Sequence, residues 1–344
     1  MKKIKYLIIV VVLIFAVILL KKYVLVKNNI NIASINKTED VIEPEIIIDK
    51  EKVIIVKGDE FIPNIKATDN LDGDITDKII TEGEVNSNII GNYKVKYTVS
   101  DSSNNKVEKT QEIEVRNPLQ RGLPVLMYHF FYSKDDPNYA GKTPNNNLIT
   151  VEKYAEQMDY LIEEDFYFPT WKEVEDYIDG KINLPEKSVV ITDDDGNFTF
   201  FVLAVPVTED RKIPVTSFVI TSLYEDRLDE KHEFVNYQSH SDDMHKSGSS
   251  GKGVMVNWNY DDIVKDLKKS KEKIESHTGN ECTIYCYPFG HYNDTAIKAL
   301  SDCGYNLAFT VEGGRVKPNA NKLKLPRVRI NGDTTMEEFK ESVK

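Results

Sequence analysis

An apolar run from Tyr6 to Leu20 opens the chain, bracketed by Lys2, Lys3 and Lys5 before it and Lys21 and Lys22 after it. The run is short for a spanning helix and also has the length of a signal-peptide core. No small-x-small cleavage site follows it, and Tyr23 to Val26 prolong it while lysine stems reach outward. Residues 1–26 are therefore expected to form an uncleaved, single-pass transmembrane anchor, leaving the rest of the chain outside the cell membrane, at the cell surface. Polar, Asn-rich sequence over 27–43 reads as a linker. From 44 to 116 the pattern changes to period two: Tyr93, Val95, Tyr97 and Val99 alternate with polar residues, and "VEKTQEIEV" continues the alternation. Turn signals at "KGDE", "NLDGD" and "DSSNN" separate the strands, which predicts a small all-β sandwich.

After "RNPLQRG" the texture changes again. "LPVLMYH", "SVVITDDDG", "PVTSFVIT", "FVNYQSHS", "CTIYCYPFG" and "LAFT" are short, nearly continuous apolar strands. Helical periods such as "TVEKYAEQMDYLIEEDF" and "YDDIVKDLKKSKEKIESHTG" lie between several of them. This alternation over 119–344 predicts an α/β domain, either a barrel or a doubly wound sheet.

Composition narrows the function. A formal net charge of -12 on 344 residues, with no basic stripe, argues against a nucleic-acid partner. Three cysteines are too few for a disulfide-built scaffold. Cys282 and Cys303 are able to form one bridge, but buried free thiols are the expected state. No second Cys or His pair stands at zinc-finger spacing.

Candidate chemistry sits where the strands end. "VVITDDDG" runs a buried-looking strand into Asp193, Asp194, Asp195 and Gly196. A turn explains one or two aspartates; three together carry like-charge repulsion, and in α/β folds sites are built at strand carboxyl ends. Tyr128 and His129, His240 and His245 in "SHSDDMH", and "YPFGH" close other strands. Singly, each histidine reads as a hydrogen-bonded core residue. Together they offer N/O ligands for a hydrolytic metal and a spare carboxylate to take a proton from water.

In this order, "LPVLMYH", "VVITDDDG", "TSFVIT", "SHSDDMH", "CYPFGHYND" and "LPRVRI" resemble the polysaccharide deacetylases of carbohydrate esterase family 4, the NodB-homology domains. "KATDNLDGDITDKI" and "GNYKVKYTVSDSSNNKVEKT" resemble bacterial Ig-like modules. The first resemblance implies a distorted (β/α) barrel that removes acetyl groups from N-acetylated sugars with a divalent metal, zinc first, cobalt or another ion as alternatives. Anchored on Gly196, it assigns Asp194 as catalytic base and Asp195, His240 and His245 as metal ligands. Tyr287, Pro288, Phe289, Gly290 and His291 then form a substrate-binding wall whose backbone helps to hold the acetyl oxygen. Arg327 becomes the charge partner of the base.

The chain departs from the family at Asp193 and Asn197, where aromatic residues are usual, and lacks the late leucine-x-x-histidine motif that supplies the general acid. His129 is the first substitute, His291 the second, and a protonated Asp194 the third. The expected function is a surface hydrolase that deacetylates N-acetylglucosamine in an envelope glycan, with peptidoglycan as the main reading. The five-residue step from His240 to His245 also fits a poly-N-acetylglucosamine exopolysaccharide deacetylase. A non-catalytic glycan-binding protein is the third reading.

Overall fold

A computed structural model describes residues 17–24, 40–138, 146–248 and 251–344. Residues 17–24 are helical and exposed. No helix among the described residues is long and apolar enough to cross a membrane. The rest of the predicted anchor, 1–16 and 25–26, and most of the linker lie outside the described residues. Contacts divide the chain into two compact units, and Val115–Lys344 belong to the second.

Seven short strands make the N-terminal sandwich. β1 (Glu45–Ile48), β3 (Ile65–Asp69) and β4 (Gly73–Asp74) form one sheet. β2 (Lys52–Val56), β7 (Lys106–Arg116), β6 (Gly91–Ser100) and β5 (Ile80–Glu82) form the other. The period-two pattern acts as expected on β6, where Val95, Tyr97 and Val99 are buried. Burial of each contributes about 1.5–3 kcal/mol of transfer energy, and the Tyr97 hydroxyl donates to Gln111 Oε1 at 3.0 Å rather than being left unpaired. "DNLDGD" is a turn: Asp69 Oδ2 accepts the amides of Leu71 and Asp72 at 2.8 and 2.9 Å.

In the second unit, seven parallel strands hydrogen-bond in a closed ring. The order is β8 (Val125–Tyr128), β11 (Val190–Asp195), β12 (Val215–Val219), β13 (Val235–Ser239), β14 (Ile284–Cys286), β15 (Leu307–Gly313) and β16 (Leu325–Arg329), which returns to β8. A parallel pair, β9 (Phe130–Tyr132) and β10 (Leu148–Thr150), stands apart. Both faces of the ring are covered, which is why its strands read as continuous apolar runs. Val125, Val190, Phe218, Phe309 and Leu325 pack together in one cluster. Leu126, Ile191, Val215 and Val219 pack in another with helix residues such as Tyr154, Leu161 and Leu267.

The ring is irregular: β13 and β14 share one residue pair, and the β15–β16 register shifts between Phe309 and Gly313. β16 was not among the expected strands. Pro326 and the two arginines mask it, and the proline falls where the pairing with β15 shifts register, between the Phe309–Leu325 and Gly313–Arg327 pairs. Register then places the site: Asp195 pairs with Val219, and Val219 with Ser239, so Asp194, Asp195 and His240 reach one end together.

Candidate active site

That end holds a groove of about 340 Å³ whose lining includes His129, Asp194, Asp195, His240, His245, Tyr287 and Phe289. Phe130, Asn147, Val311 and Arg329 complete the lining. None of these four was singled out from the sequence, since a loop asparagine or a second strand arginine carries no motif of its own.

β11 ends in a strained turn. Asp195 has φ 77° and Gly196 φ 61°, and a Cβ on Gly196 would lie 2.9 Å from Val219 Cγ2. The glycine is thus required by both conformation and space. Left-handed backbone at a non-glycine residue costs about 1–3 kcal/mol and is retained where the surroundings enforce it. Here it swings the Asp195 carboxylate toward the histidine loop.

His240 Nε2 and His245 Nε2 stand 3.4 and 3.3 Å from the same Asp195 Oδ1. That oxygen is buried and makes no hydrogen bond. Three lone-pair atoms so arranged fit a divalent metal: a tetrahedral ion with legs of about 2.0–2.1 Å separates its ligands by roughly 3.3–3.4 Å. The Nδ1 of His240 meets the Cys286 carbonyl at 2.7 Å, which aims Nε2 at the cluster. Burial, then the neighbouring His240, pull the His245 imidazole down to about 4, so its lone pair is free at neutral pH. Asp194, His240 and Cys286 also lie together. The Cys286 thiol in that second group receives Arg327 Nη2 at 3.0 Å and donates to Asp194 Oδ2 at 3.4 Å.

Asp194 is almost wholly buried and is held by a bidentate fork, Arg327 Nη1 to Oδ1 at 2.6 Å and Nη2 to Oδ2 at 2.7 Å. Burial alone would raise this carboxyl; the guanidinium outweighs it and holds the group below the usual carboxylate range. His129 Nε2 lies 3.9 Å from Asp194 Oδ2 on the groove wall. Burial pulls its imidazole below the ordinary value, with Asp194 and Asp195 opposing, so it is neutral at pH 7.

The two departures from the family find structural explanations. Asp193 alternates to the other face of β11, 1% exposed, with Oδ2 accepting Ser217 Oγ at 2.9 Å. It is absent from the groove lining. Asn197 donates through Nδ2 to the His129 carbonyl at 2.8 Å and accepts the Thr199 amide at 2.8 Å. It therefore ties the turn after the aspartates to the strand end that carries His129.

Of the expected substrate wall, Tyr287 and Phe289 line the groove, with the Phe289 ring 4.3 Å from that of His245. Pro288, Gly290 and His291 are not among its lining. His291 Nδ1 accepts the Gly253 amide at 3.0 Å. The amides of Tyr287, Gly290 and His291 already donate to Phe309, Tyr287 and Pro288 carbonyls, so these three are not free to hold an acetyl oxygen. Cys282, Cys286 and Cys303 are free thiols.

Ring, groove and cluster define a hydrolase site. Residues 181–308 match the polysaccharide deacetylase family, and residues 47–115 match the bacterial surface protein Ig-like domain. The chain carries a polysaccharide N-deacetylase domain of that family, preceded by an Ig-like domain. It is 29% identical over 229 residues to the poly-beta-1,6-N-acetyl-D-glucosamine N-deacetylase of Staphylococcus epidermidis, covering 61% of this chain and 79% of the relative. The Staphylococcus aureus protein of the same name is 27% identical over 225 residues, covering 61% and 74%. Among solved structures, IcaB from Ammonifex degensii aligns with a TM-score of 0.55 and 25% identity over 65% of this chain and 97% of that one. The Streptococcus pyogenes deacetylase PplD in complex with acetate aligns with a TM-score of 0.58 and 21% identity over 66% and 100%, a likeness of fold.

Proposed function

We propose that this chain is a metal-dependent, surface-located N-deacetylase of poly-β-1,6-N-acetylglucosamine. The convergence of Asp195, His240 and His245 on one unpaired oxygen is the observation that carries the chemistry. The choice of glycan follows the staphylococcal relatives, and it replaces peptidoglycan, the main expectation from the sequence. The N-terminal apolar run supports an exported location, with the Ig-like domain as a spacer or a glycan contact.

Asp195, His240 and His245 would hold zinc or a similar ion. When bound, it supplies Lewis-acid polarisation of the amide carbonyl and lowers the pKa of water. Asp194, ionised and fixed by Arg327, takes the proton from the attacking water. His129, neutral at rest and 3.9 Å from Asp194, receives a proton and delivers it to the departing nitrogen. The new C–O bond forms as the C–N bond breaks, leaving acetate and a glucosamine amine. Phe289, exposed on the groove wall, flanks the sugar, and its ring over His245 limits water access to that side.

Acetate release by the full chain tests this reading, after metal stripping and zinc or cobalt add-back, on a β-1,6-linked N-acetylglucosamine oligomer and on peptidoglycan. Metal-dependent release from the oligomer, lost in Asp194→Asn, is the expected result. Release from peptidoglycan alone would reverse the choice of glycan. No release from either, with stoichiometric metal bound, would leave a glycan-binding protein.

A further inference from the structure

The geometry assigns Asp266 as a positioning residue: its carboxylate, reaching from the helix Tyr260–Thr278, fixes the backbone between His240 and His245 so that both imidazoles meet Asp195. This rests on the metal-cluster reading above.

Asp266 is 6% exposed, and its two oxygens accept consecutive amides, Asp242 N at 2.8 Å and Asp243 N at 2.7 Å. Those amides lie midway between the two histidines. The segment contains a non-glycine left-handed residue, Ser241 at φ 80°, and its Ser241 and Asp242 carbonyls accept the Thr221 and Ser222 amides at 3.1 Å, so the Asp266 carboxylate is what engages the amides on its other side. One carboxylate spanning two adjacent amides makes charge-assisted bonds and sets the direction of the peptide plane between them. The Asp242 side chain is engaged elsewhere, by Thr221 Oγ1 at 2.8 Å, Lys269 at 2.6 Å and Lys273 at 2.9 Å, so it does not compete for these amides.

The same helix touches the loop's entry as well: Ser270 Oγ and Ser239 Oγ lie 2.7 Å apart, and Ser239 Oγ accepts the Ser241 amide at 3.2 Å. The helix therefore acts as a rigid rail for the ligand loop. A buried carboxylate is costly to keep unless it is used. Here its two oxygens are spent on the loop that carries the ligands.

Partners that orient metal ligands typically change metal affinity 10–100-fold when removed. Calorimetric titration of the metal-stripped full chain with Co²⁺ alone should show Asp266→Asn weakening binding by roughly that factor and altering the visible Co²⁺ spectrum, with Asp266→Glu restoring part of it. At saturating metal, KM should stay within about twofold, because Asp266 does not line the groove. Affinity and spectrum unchanged in Asp266→Asn would overturn the assignment and leave Asp266 a packing residue.

Should Asp266→Asn not fold, amide exchange of the wild-type, metal-free chain decides. Protection of the Asp242 and Asp243 amides is expected, and free exchange overturns the strap. Absence of any Co²⁺ binding by the wild type would instead refute the metal cluster, a separate outcome.

Discussion

At the scale of single residues, the site is held by a few buried charges whose partners are specific. Arg327 is 1% exposed and is fully engaged by the Thr310 carbonyl, Thr192, Asp194 and the Cys286 thiol. Arg327→Met would strand the Asp194 carboxylate in a dry interior, a loss of about 3–5 kcal/mol by denaturant titration. Arg327→Lys should recover little of it, since a point charge does not reproduce the bidentate fork. His129→Ala should lower kcat by roughly 10²–10⁴ with Co²⁺ affinity unchanged, as befits a proton carrier and not a ligand. His291→Ala should leave kcat alone, and an equal loss in both variants would undo the assignment of the acid to His129.

The grouping of Asp195, His240 and His245 was legible because all three close apolar strands expected to end at one face. The roles of Asp193 and Asn197 were not. Strand alternation turns Asp193 outward, and the partner of Asn197 is a carbonyl 68 residues earlier in the chain. The second of these contacts is not local to the motif.

At the scale of elements, strands read well and their supports read poorly. Six of the seven ring strands stand out as apolar runs; β16 hides behind Pro326 and two arginines although it carries Arg327, the partner of Asp194. The helix Tyr260–Thr278 was expected from its period and is capped by Asn259, whose side chain accepts the Asp262 amide at 3.0 Å. Its inward Asp266 gave no signal, because a single aspartate on a charged helix looks solvated.

Burial is the main cause that lifts the Asp266 carboxyl from 3.8 to about 6, with Asp242 and Asp243 adding to it and the two amides opposing. Between those values the native state holds a proton that the unfolded chain has released. This group's contribution to stability therefore falls as pH rises from about 4 to about 6, by up to ~3 kcal/mol. Urea midpoints of the metal-free protein at pH 4 and pH 7 should show that component vanish in Asp266→Asn, while Lys269→Met, which leaves the carboxyl in place, should retain it. A wild-type difference unchanged by Asp266→Asn would remove Asp266 as its source.

At the scale of the whole molecule, an acidic chain is paired with a reaction that makes its substrate cationic. Each acetyl group removed leaves an amine that is protonated near neutral pH, so the proposed product is a polycation while the protein carries a formal charge of -12. Association between opposite net charges is strong at low salt and is screened once the Debye length falls to about 8–10 Å at 0.1–0.15 M. The neutral, fully acetylated substrate has no such attraction. Product inhibition should therefore weaken several-fold between about 0.02 and 0.3 M NaCl while KM for an acetylated oligomer stays nearly constant. Measuring both constants across that range with a β-1,6-linked oligomer and its deacetylated form checks the idea. Equal salt dependence of the two would mean that the overall charge serves solubility and takes no part in retaining or releasing the glycan.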